Sequence, residues 1–233
     1  MKRSQINRSI ATAAKAFDQA GLHLPPFAFW TPGQWASKGR EADEIRRAQL
    51  GWDVTDFGSG DFPNWGRTLF TLRNGYRANG VPTKSYGEKF ILNLPNQKPP
   101  LHFHQTKMED IINRAGGNVL IRLFSATPDG QCSDEDFDVQ VNGETLHLKP
   151  DTVLRLTPGE SICVPPRLIH QFWGEEGTGF EVEGVRCVIS GEVSSFCDDW
   201  GDNCFLAPAE RFPVIDEDEP RLRYLCHEYP AAG

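Results

Sequence analysis

The stretch LHFHQTKMED, from Leu101 to Asp110, places a histidine on either side of one phenylalanine and a glutamate five positions after the second histidine. Alternate side chains of a β-strand point to the same face, so His102 and His104 would project together from a strand. Glu109 could join them only if the chain turns first, and Lys107 in the intervening segment is consistent with a turn. The stretch therefore predicts a strand and a turn that gather two imidazoles and one carboxylate.

On both sides of this stretch the sequence is a series of short segments rich in β-forming residues. These segments are Arg67 to Arg73, Glu88 to Leu94, Asn118 to Ala126, Asp138 to Leu148, Thr152 to Leu156, Ser161 to Val164, Ile169 to Trp173 and Phe180 to Val193. The Asn142-Gly143 pair is a strong hairpin signal, so the segment around it predicts two strands. Roughly eight to ten strands separated by Gly/Pro turns predict an all-β fold, an antiparallel sandwich or barrel.

The N-terminal region instead has the periodicity of helices. Apolar residues recur at helical spacing up to Gly21, and Ser4 is placed to cap this first helix. A second helical stretch is predicted from about Thr31 to Ala48. Residues 51–64 are rich in glycine, aspartate and proline and are expected to form a loop.

Length and composition limit the classes of protein. A chain of 233 residues fits one domain: we expect a helical extension over about 1–50, a barrel core over about 65–195, and a C-terminal loop and tail over 196–233. The formal net charge of −8, without a basic cluster, argues against a nucleic-acid surface. No stretch approaches the roughly 20 apolar residues of a membrane span, and no apolar signal segment is recognised. With scattered cysteines expected to be reduced thiols, these features predict a cytoplasmic protein without a membrane partner.

A lone His-x-His pair is more often a surface pair or a satisfied core pair than a metal site. Here the spacing continues as H-x-H-x4-E-x6-G up to Gly116, and a second block, GESICVP, ends at Pro165 and is followed by His170. This pair of blocks resembles the two motifs of the cupin superfamily. The resemblance implies a cupin-type, jelly-roll-like antiparallel β-barrel. Arg167 departs from it, because cupins usually have glycine there.

In cupins the two histidines, the glutamate and the distant histidine converge on one metal. The resemblance therefore implies that the metal ligands are His102, His104, Glu109 and His170. Three imidazoles and one carboxylate leave a divalent ion with net positive charge and, in octahedral coordination, two open positions. Such an ion could bind two neighbouring sugar oxygens, polarise the carbonyl and stabilise an enediolate.

A narrower resemblance covers nearly the whole chain. The segments MKRSQIN with LPPFAFWTPGQW, HFHQTKMEDIINRAGG, and SGEVSSFCDDWGDNCF resemble the D-lyxose ketol-isomerase family. Cys197 and Cys204 depart from it, since polar residues are expected there. The resemblance implies an aldose–ketose isomerase of free sugars that converts D-lyxose to D-xylulose, and also D-mannose to D-fructose, through a cis-enediol. It implies Mn²⁺ as the metal; Co, Fe, Ni and Zn also suit this ligand set.

Isomerisation needs a base within hydrogen-bond reach of the proton that moves between C1 and C2. We predict Glu192, at the end of the last long strand, as this base, and Lys107 as its electrostatic partner. Alternatively, Glu192 is only a carboxylate at the rim of the pocket, and Lys107 is a solvated lysine in a turn. The predicted sugar-binding residues are Lys89, Phe172, Trp173 and Asp199. Asp202 and Asn203 could also bind sugar hydroxyls, or they could simply form a turn after the last strand. No cluster of cations is evident near the mouth of the barrel, which favours a free sugar over a sugar phosphate, although Lys89 and Arg167 leave the phosphate open.

Two other classes of protein remain open at the level of sequence. One is a cupin that senses a sugar without converting it, and the other is a non-haem iron dioxygenase. A homodimer is also expected, because the N-terminal helix and the apolar run from Leu24 to Trp30 carry more apolar surface than one small barrel needs to cover.

Overall fold

A computed structural model describes residues 1–198 and 200–232 of the chain. The helices lie near the N-terminus: α1 (Arg3–Gln19), α2 (Pro32–Ala36) and α3 (Asp43–Arg47), with 3₁₀ turns at Pro26–Phe29 and Arg40–Ala42. The strands are β1 (Gly51–Thr55), β2 (Arg67–Arg73), β3 (Arg77–Ala78), β4 (Val81–Pro82), β5 (Tyr86–Asn93), β6 (His102–His104), β7 (Glu109–Ala115), β8 (Val119–Ser125), β9 (Phe137–Val141), β10 (Glu144–Leu148), β11 (Thr152–Leu156), β12 (Ser161–Val164), β13 (Leu168–Gly174), β14 (Phe180–Val182), β15 (Val185–Ser195) and β16 (Asn203–Phe205).

The described strands form two large antiparallel sheets. The first has nine strands in the order β1-β2-β5-β15-β7-β12-β9-β10, with β14 beside β15, and the second has five in the order β11-β8-β13-β6-β16. The two sheets pack through a shared apolar cluster that includes Ile91, Ile111, Ile121 and Phe172. The all-β prediction of a cupin-type fold is confirmed, although hydrogen bonds between the described strands do not join the sheets into a closed barrel.

The helix α1 covers the outer face of the nine-stranded sheet. Its Ile6, Ile10 and Phe17 pack into a second apolar cluster with Phe70 and Phe90. Strand β5 is therefore apolar on both faces: Phe90 points to α1, while Ile91 points to the cluster between the sheets. None of the described helices is long and apolar enough to cross a membrane.

Three boundaries differ from the sequence predictions. Ser4 does not cap α1, because the helix already begins at Arg3, and the Ser4 hydroxyl donates to Asp218 Oδ2 at 2.8 Å. The second helical stretch is broken into the short helices α2 and α3, with a 3₁₀ turn before α3. The predicted Phe180–Val193 strand is two strands, because the chain turns at Glu183, which has a φ of 49°.

The two sheets also include strands outside the expected core of about 65–195. Residues 51–55 were expected to be loop, but they form β1 and pair with β2 along their whole length. Burial of Trp52 and Val54 against α1 outweighs the weak β-propensity of the glycine and aspartate around them. At the other end, β16 extends the five-stranded sheet by pairing with β6.

The C-terminal tail is attached to α1 by a buried arginine. Arg3 is fully buried; it donates through Nε and Nη2 to Glu217 at 2.8 Å each, and through Nη1 to Glu228 at 3.1 Å. Hydrogen bonds from Arg3 lower the pKa of the Glu217 carboxyl from 4.5 to about 2. Folding therefore favours the ionised form of Glu217.

We expect this pair to make the free energy of unfolding depend on acid pH. A carboxylate with a lowered pKa stabilises the fold above its unfolded pKa of 4.5 and loses that contribution as the pH falls towards 2. Solvent reduces the effect, because Glu217 is partly exposed. The melting temperature of Glu217→Gln, measured at about pH 5 and about pH 3, should fall less than that of the wild type. Equal falls in both proteins would contradict the assignment.

Candidate active site

A pocket opens between the two sheets, on the side where β6 and β13 face β5 and β15. It is lined by Phe57, Arg67, Leu69, Lys89, Ile91, Pro99, His102, His104, Lys107, Glu109, His170, Phe172, Glu192, Asn203, Phe205 and Arg211. All four predicted metal ligands and both predicted catalytic residues are in this set. The sequence segments that carry them are far apart in the chain but neighbours in the two sheets.

Three histidines converge because β6 and β13 pair directly. His170 lies opposite His102 in the register, and His104 shares the inner face of β6 with His102. The ring centroids of His102 and His170 are 4.3 Å apart, and His104 lies 5.3 Å from the first and 5.5 Å from the second. One ring nitrogen of each lies within 4.8 Å of the others, so the three could hold a metal ion.

The backbone fixes the orientation of two of these rings. His102 Nδ1 lies 2.9 Å from the carbonyl oxygen of Pro100, and His170 Nδ1 lies 3.0 Å from that of Leu168. A carbonyl only accepts, so each Nδ1 carries the proton and each Nε2 presents a lone pair to the cluster. Burial and the neighbouring imidazoles lower the pKa of His102 well below its usual value, which favours the neutral form that binds metals.

Glu109 completes the set at the first residue of β7. Its Oε1 atom lies 3.0 Å from His170 Nε2 and 3.4 Å from His104 Nε2. Both Glu109 Oε1 and His170 Nε2 are buried, and neither forms a hydrogen bond with any described residue. Two buried lone-pair atoms at this distance repel each other unless a proton or a metal ion lies between them. The donor set of three imidazoles and one carboxylate thus fits a divalent metal ion.

Beside this cluster is a second group of charged side chains. Lys107 Nζ lies 2.6 Å from Glu109 Oε2 and 2.9 Å from Glu192 Oε1, and Lys89 Nζ lies 3.3 Å from the same Glu192 oxygen. Burial alone would raise the pKa of Glu192, but Lys107 and Lys89 lower it. Burial alone would lower the pKa of Lys107, but Glu109 and Glu192 raise it well above the usual value. At neutral pH Glu192 is therefore an anion and Lys107 a cation.

Only some of the predicted sugar-binding residues line the pocket. Lys89 and Phe172 line the pocket. Trp173 does not: adjacent side chains of β13 alternate in direction, and Trp173 points to the opposite face, where Lys98 Nζ lies 4.3 Å from its ring centre. Asp199 lies outside the described residues. Asp202 is not in the pocket lining, because its carboxylate is turned into the segment between β6 and β7.

Several pocket residues were not found by sequence reasoning. Arg67 begins β2, donates to Asn93 Oδ1 at 2.6 Å, and covers the Phe172 ring at 4.1 Å from its centre. Arg211 arrives from the C-terminal segment and pairs with Asp53 of β1. No sequence signal singles out Arg211, since it belongs to neither motif.

The expectation that few cations gather near the pocket is wrong. Four of them line it, namely Arg67, Lys89, Lys107 and Arg211. The two lysines and Arg211 each face a carboxylate of the chain itself, Glu109, Glu192 or Asp53. Their presence therefore does not by itself indicate a phosphate group on the ligand.

The departure at Arg167 also has a structural explanation. Arg167 has a φ of 66°, the left-handed region that favours glycine. Its backbone N–H donates to the carbonyl oxygen of His104 at 2.8 Å and so ties the second block to the first. The turn keeps its geometry although the residue is not glycine.

Comparison with known proteins shows the family of this chain. The profile of the D-lyxose isomerase family matches residues 1–229. The chain belongs to the D-lyxose isomerase family. The predictions of this family and of an aldose–ketose isomerase are thereby confirmed.

Two members of the D-lyxose isomerase family show how closely the chain follows it. It is 47% identical to a D-lyxose/D-mannose isomerase from Escherichia coli O157:H7 over 231 residues, 98% of both chains. It is 43% identical to a protein of the same name from Serratia proteamaculans over 230 residues, again 98% of both chains. An L-ribose isomerase from Cellulomonas parahominis has a similar fold, with a TM-score of 0.59 at 14% identity, covering 93% of this chain and 98% of the other.

Proposed function

We propose that this member of the D-lyxose isomerase family converts D-lyxose to D-xylulose, and D-mannose to D-fructose, by proton transfer through a cis-enediol. The names of the relatives support these substrates. The observation that carries the proposal is the geometry of one pocket, in which a buried carboxylate between two lysines stands beside three imidazoles and Glu109. A protein that only senses a sugar would not need a proton-transfer carboxylate with a lysine beside it. A dioxygenase would lie outside the family.

We infer that His102, His104, Glu109 and His170 hold a divalent metal ion, and that this ion is Mn²⁺. The buried lone-pair atoms of Glu109 and His170, which face each other at 3.0 Å, support a cation at this point. When bound, such an ion supplies Lewis-acid polarisation of the sugar carbonyl. Nitrogen and oxygen ligands without a thiolate suit Mn²⁺ as well as Co, Fe, Ni and Zn.

Glu192 is proposed as the group that moves the proton between C1 and C2. Its carboxylate is ionised and lines the pocket, so it can accept a proton from a sugar lying there. Lys107 is proposed to stay charged, because it lies between two carboxylates and its pKa is raised. It can then stabilise negative charge that develops on the sugar oxygens.

The remaining pocket walls are proposed to bind the sugar. Lys89 supplies a cationic donor, and Phe172 an apolar surface for C–H groups. Arg67 and Asn203 line the same space and can reach hydroxyl groups. Because Lys89, Lys107 and Arg211 each face a carboxylate of the chain, a neutral sugar fits the site better than a sugar phosphate.

The test is an anaerobic panel of aldoses with metal-stripped protein reloaded with Mn²⁺, Co²⁺, Ni²⁺ or Zn²⁺. D-lyxose and D-mannose should be converted without O₂ consumption, and Mn²⁺ should restore the highest rate. Phosphorylated aldoses form the matched comparison. Conversion that requires O₂, or turnover of the phosphates alone, would contradict the proposal.

We also propose a homodimer in the cytoplasm. The reduced thiols of Cys132, Cys163 and Cys187 support a reducing compartment. The run from Leu24 to Trp30, which was expected to supply the interface, packs largely on its own sheet: Ala28 is buried and the Phe27 ring lies 5.4 Å from Phe70.

An exposed apolar group on the nine-stranded sheet and in the turn that leads into β7 is a better candidate for the interface. It consists of Tyr86, Met108 and Val193, which are 49%, 49% and 41% exposed. Light scattering at micromolar concentration should give about twice the chain mass of 26.1 kDa. Val193→Asp should shift this towards one chain, and the exposed-valine control Val214→Asp should not. A wild-type mass of one chain would contradict the dimer, and a dimeric Val193→Asp would move the interface elsewhere.

A further inference from the structure

Asp202 lies where the C-terminal segment meets the turn between β6 and β7. Its Oδ1 atom accepts hydrogen bonds from Thr106 N at 2.8 Å and Thr106 Oγ1 at 2.7 Å, and its Oδ2 accepts one from Lys107 N at 3.0 Å. Its backbone carbonyl accepts a further bond from Gln105 N at 3.1 Å. Only 6% of Asp202 is exposed, so this buried carboxylate is satisfied by three donors of a single turn.

That turn carries the catalytic lysine. Lys107 is one residue after Thr106, and its ammonium group lies 2.6 Å from Glu109 and 2.9 Å from Glu192. Without the carboxylate, the N–H groups of Thr106 and Lys107 would lose their acceptor, and the backbone that aims Lys107 would be free to change. A displacement of about 1 Å at such a group can cost about 10²-fold in rate.

The same carboxylate also faces a proposed metal ligand. His102 and His170 each have their Nδ1 fixed by a backbone carbonyl two residues earlier. His104 forms no hydrogen bond through Nδ1 to any described residue, and Asp202 Oδ2 lies 3.9 Å from that atom. This distance is too long for a direct hydrogen bond, but a nearby anion favours a proton on Nδ1. The Nε2 lone pair of His104 then faces Glu109 and the other two imidazoles.

We propose that Asp202 is a positioning residue, which aims Lys107 through its backbone and sets the tautomer of His104. This inference rests on the proposed function, because Asp202 would position residues of the same proposed active site. Asp202 does not line the pocket, so it acts through those two residues. Partners of this kind behind a metal ligand typically change metal affinity or activity by about 10–100-fold.

The test compares Asp202→Ala and Asp202→Asn with wild type in three measurements. These are the Kd of Mn²⁺ for the metal-stripped protein, kcat and KM on D-lyxose, and the melting temperature. Asp202→Ala should raise the Kd and lower kcat, each by about 10-fold or more, with a smaller change in KM. Asp202→Asn keeps an acceptor for Thr106 but turns a donor towards Lys107 N, so it should remain folded and recover only part of the loss.

Asp198→Ala is the matched control in the same segment. It removes a carboxylate that accepts from Gly201 N at 3.1 Å and pairs with Arg77, away from the turn. Its Kd and kcat should stay within about twofold of wild type. A lower melting temperature with unchanged Kd and kcat in both Asp202 variants would overturn the proposal, and if Asp202→Ala does not fold, Asp202→Asn decides. A wild type inactive on D-lyxose would instead contradict the proposed function, while the Kd would still test Asp202.

Discussion

Glu192→Gln is expected to lower kcat by about 10²–10⁴-fold, the range typical of a lost general acid–base group. Glutamine has the size of glutamate and can still accept a hydrogen bond from Lys107 Nζ, which lies 2.9 Å from the present carboxylate. It cannot accept the proton of the sugar. Metal content should not change, because Glu192 is not among the four proposed ligands, and KM should change little.

Glu88→Gln is the matched control for this variant. Glu88 lies opposite Val193 on the neighbouring strand, pairs with Arg73, and is not in the pocket lining. The substitution removes one negative charge from the same sheet at a position outside the site. The kcat of Glu88→Gln should therefore match that of the wild type. A near-normal Glu192→Gln would contradict the role of Glu192 as the base.

Isotope incorporation tests the same role by a separate measurement. A proton held by a carboxylate can exchange with water, so wild-type turnover in D₂O should place deuterium at C1 or C2 of the product. A hydride shift between the two carbons would leave the product unlabelled. An unlabelled product together with a near-normal Glu192→Gln variant would remove Glu192 from the mechanism.

His104→Ala should abolish detectable isomerase activity and bind Mn²⁺ far more weakly than the wild type. It removes one of three imidazoles whose ring nitrogens lie within 4.8 Å of one another. Loss of a direct ligand should exceed the roughly 10–100-fold effect of losing a partner behind one. Circular dichroism should stay β-rich, because the two apolar clusters that hold the sheets do not include His104. Removal of the metal from the wild type by chelation should likewise abolish activity and leave the circular dichroism β-rich.

His147→Ala is the control for this substitution. His147 is largely exposed and lies on the β9–β10 hairpin, where its Nδ1 is 2.8 Å from Asp138. Its loss should leave metal affinity and kcat unchanged. Normal turnover by metal-free His104→Ala would mean that the reaction needs no metal at this site.

Most of the fold could be predicted from local patterns. The strands Arg67–Arg73, Thr152–Leu156 and Ser161–Val164 were predicted with the bounds they have in the structure. Each is rich in β-forming residues and ends at turn residues, so local propensity and tertiary pairing agree. Strand β1 was missed, because its glycine and aspartate resemble a loop and only packing against α1 makes it a strand.

The residues of the site also divide into those that the sequence identifies and those that it does not. His102, His104, Glu109, Lys107 and His170 could be found from sequence, because the family motifs fix their spacing and the period of a strand fixes which side chains share a face. Trp173 was chosen for its proximity in sequence, but the alternation of β13 turns it away.

The sequence by itself determined the chemical inventory: three imidazoles, one carboxylate and a lysine in the turn between two of these ligands. Only the tertiary structure decided how the distant residues of the site meet. Glu192 meets Lys107 because β15 pairs with β7, and Asp202 reaches the β6–β7 turn because β16 pairs with β6. Arg211 enters through the C-terminal segment, which packs beside β1. Such contacts join residues 85 or more positions apart, and no local pattern records them, because they depend on which strands become neighbours in a sheet.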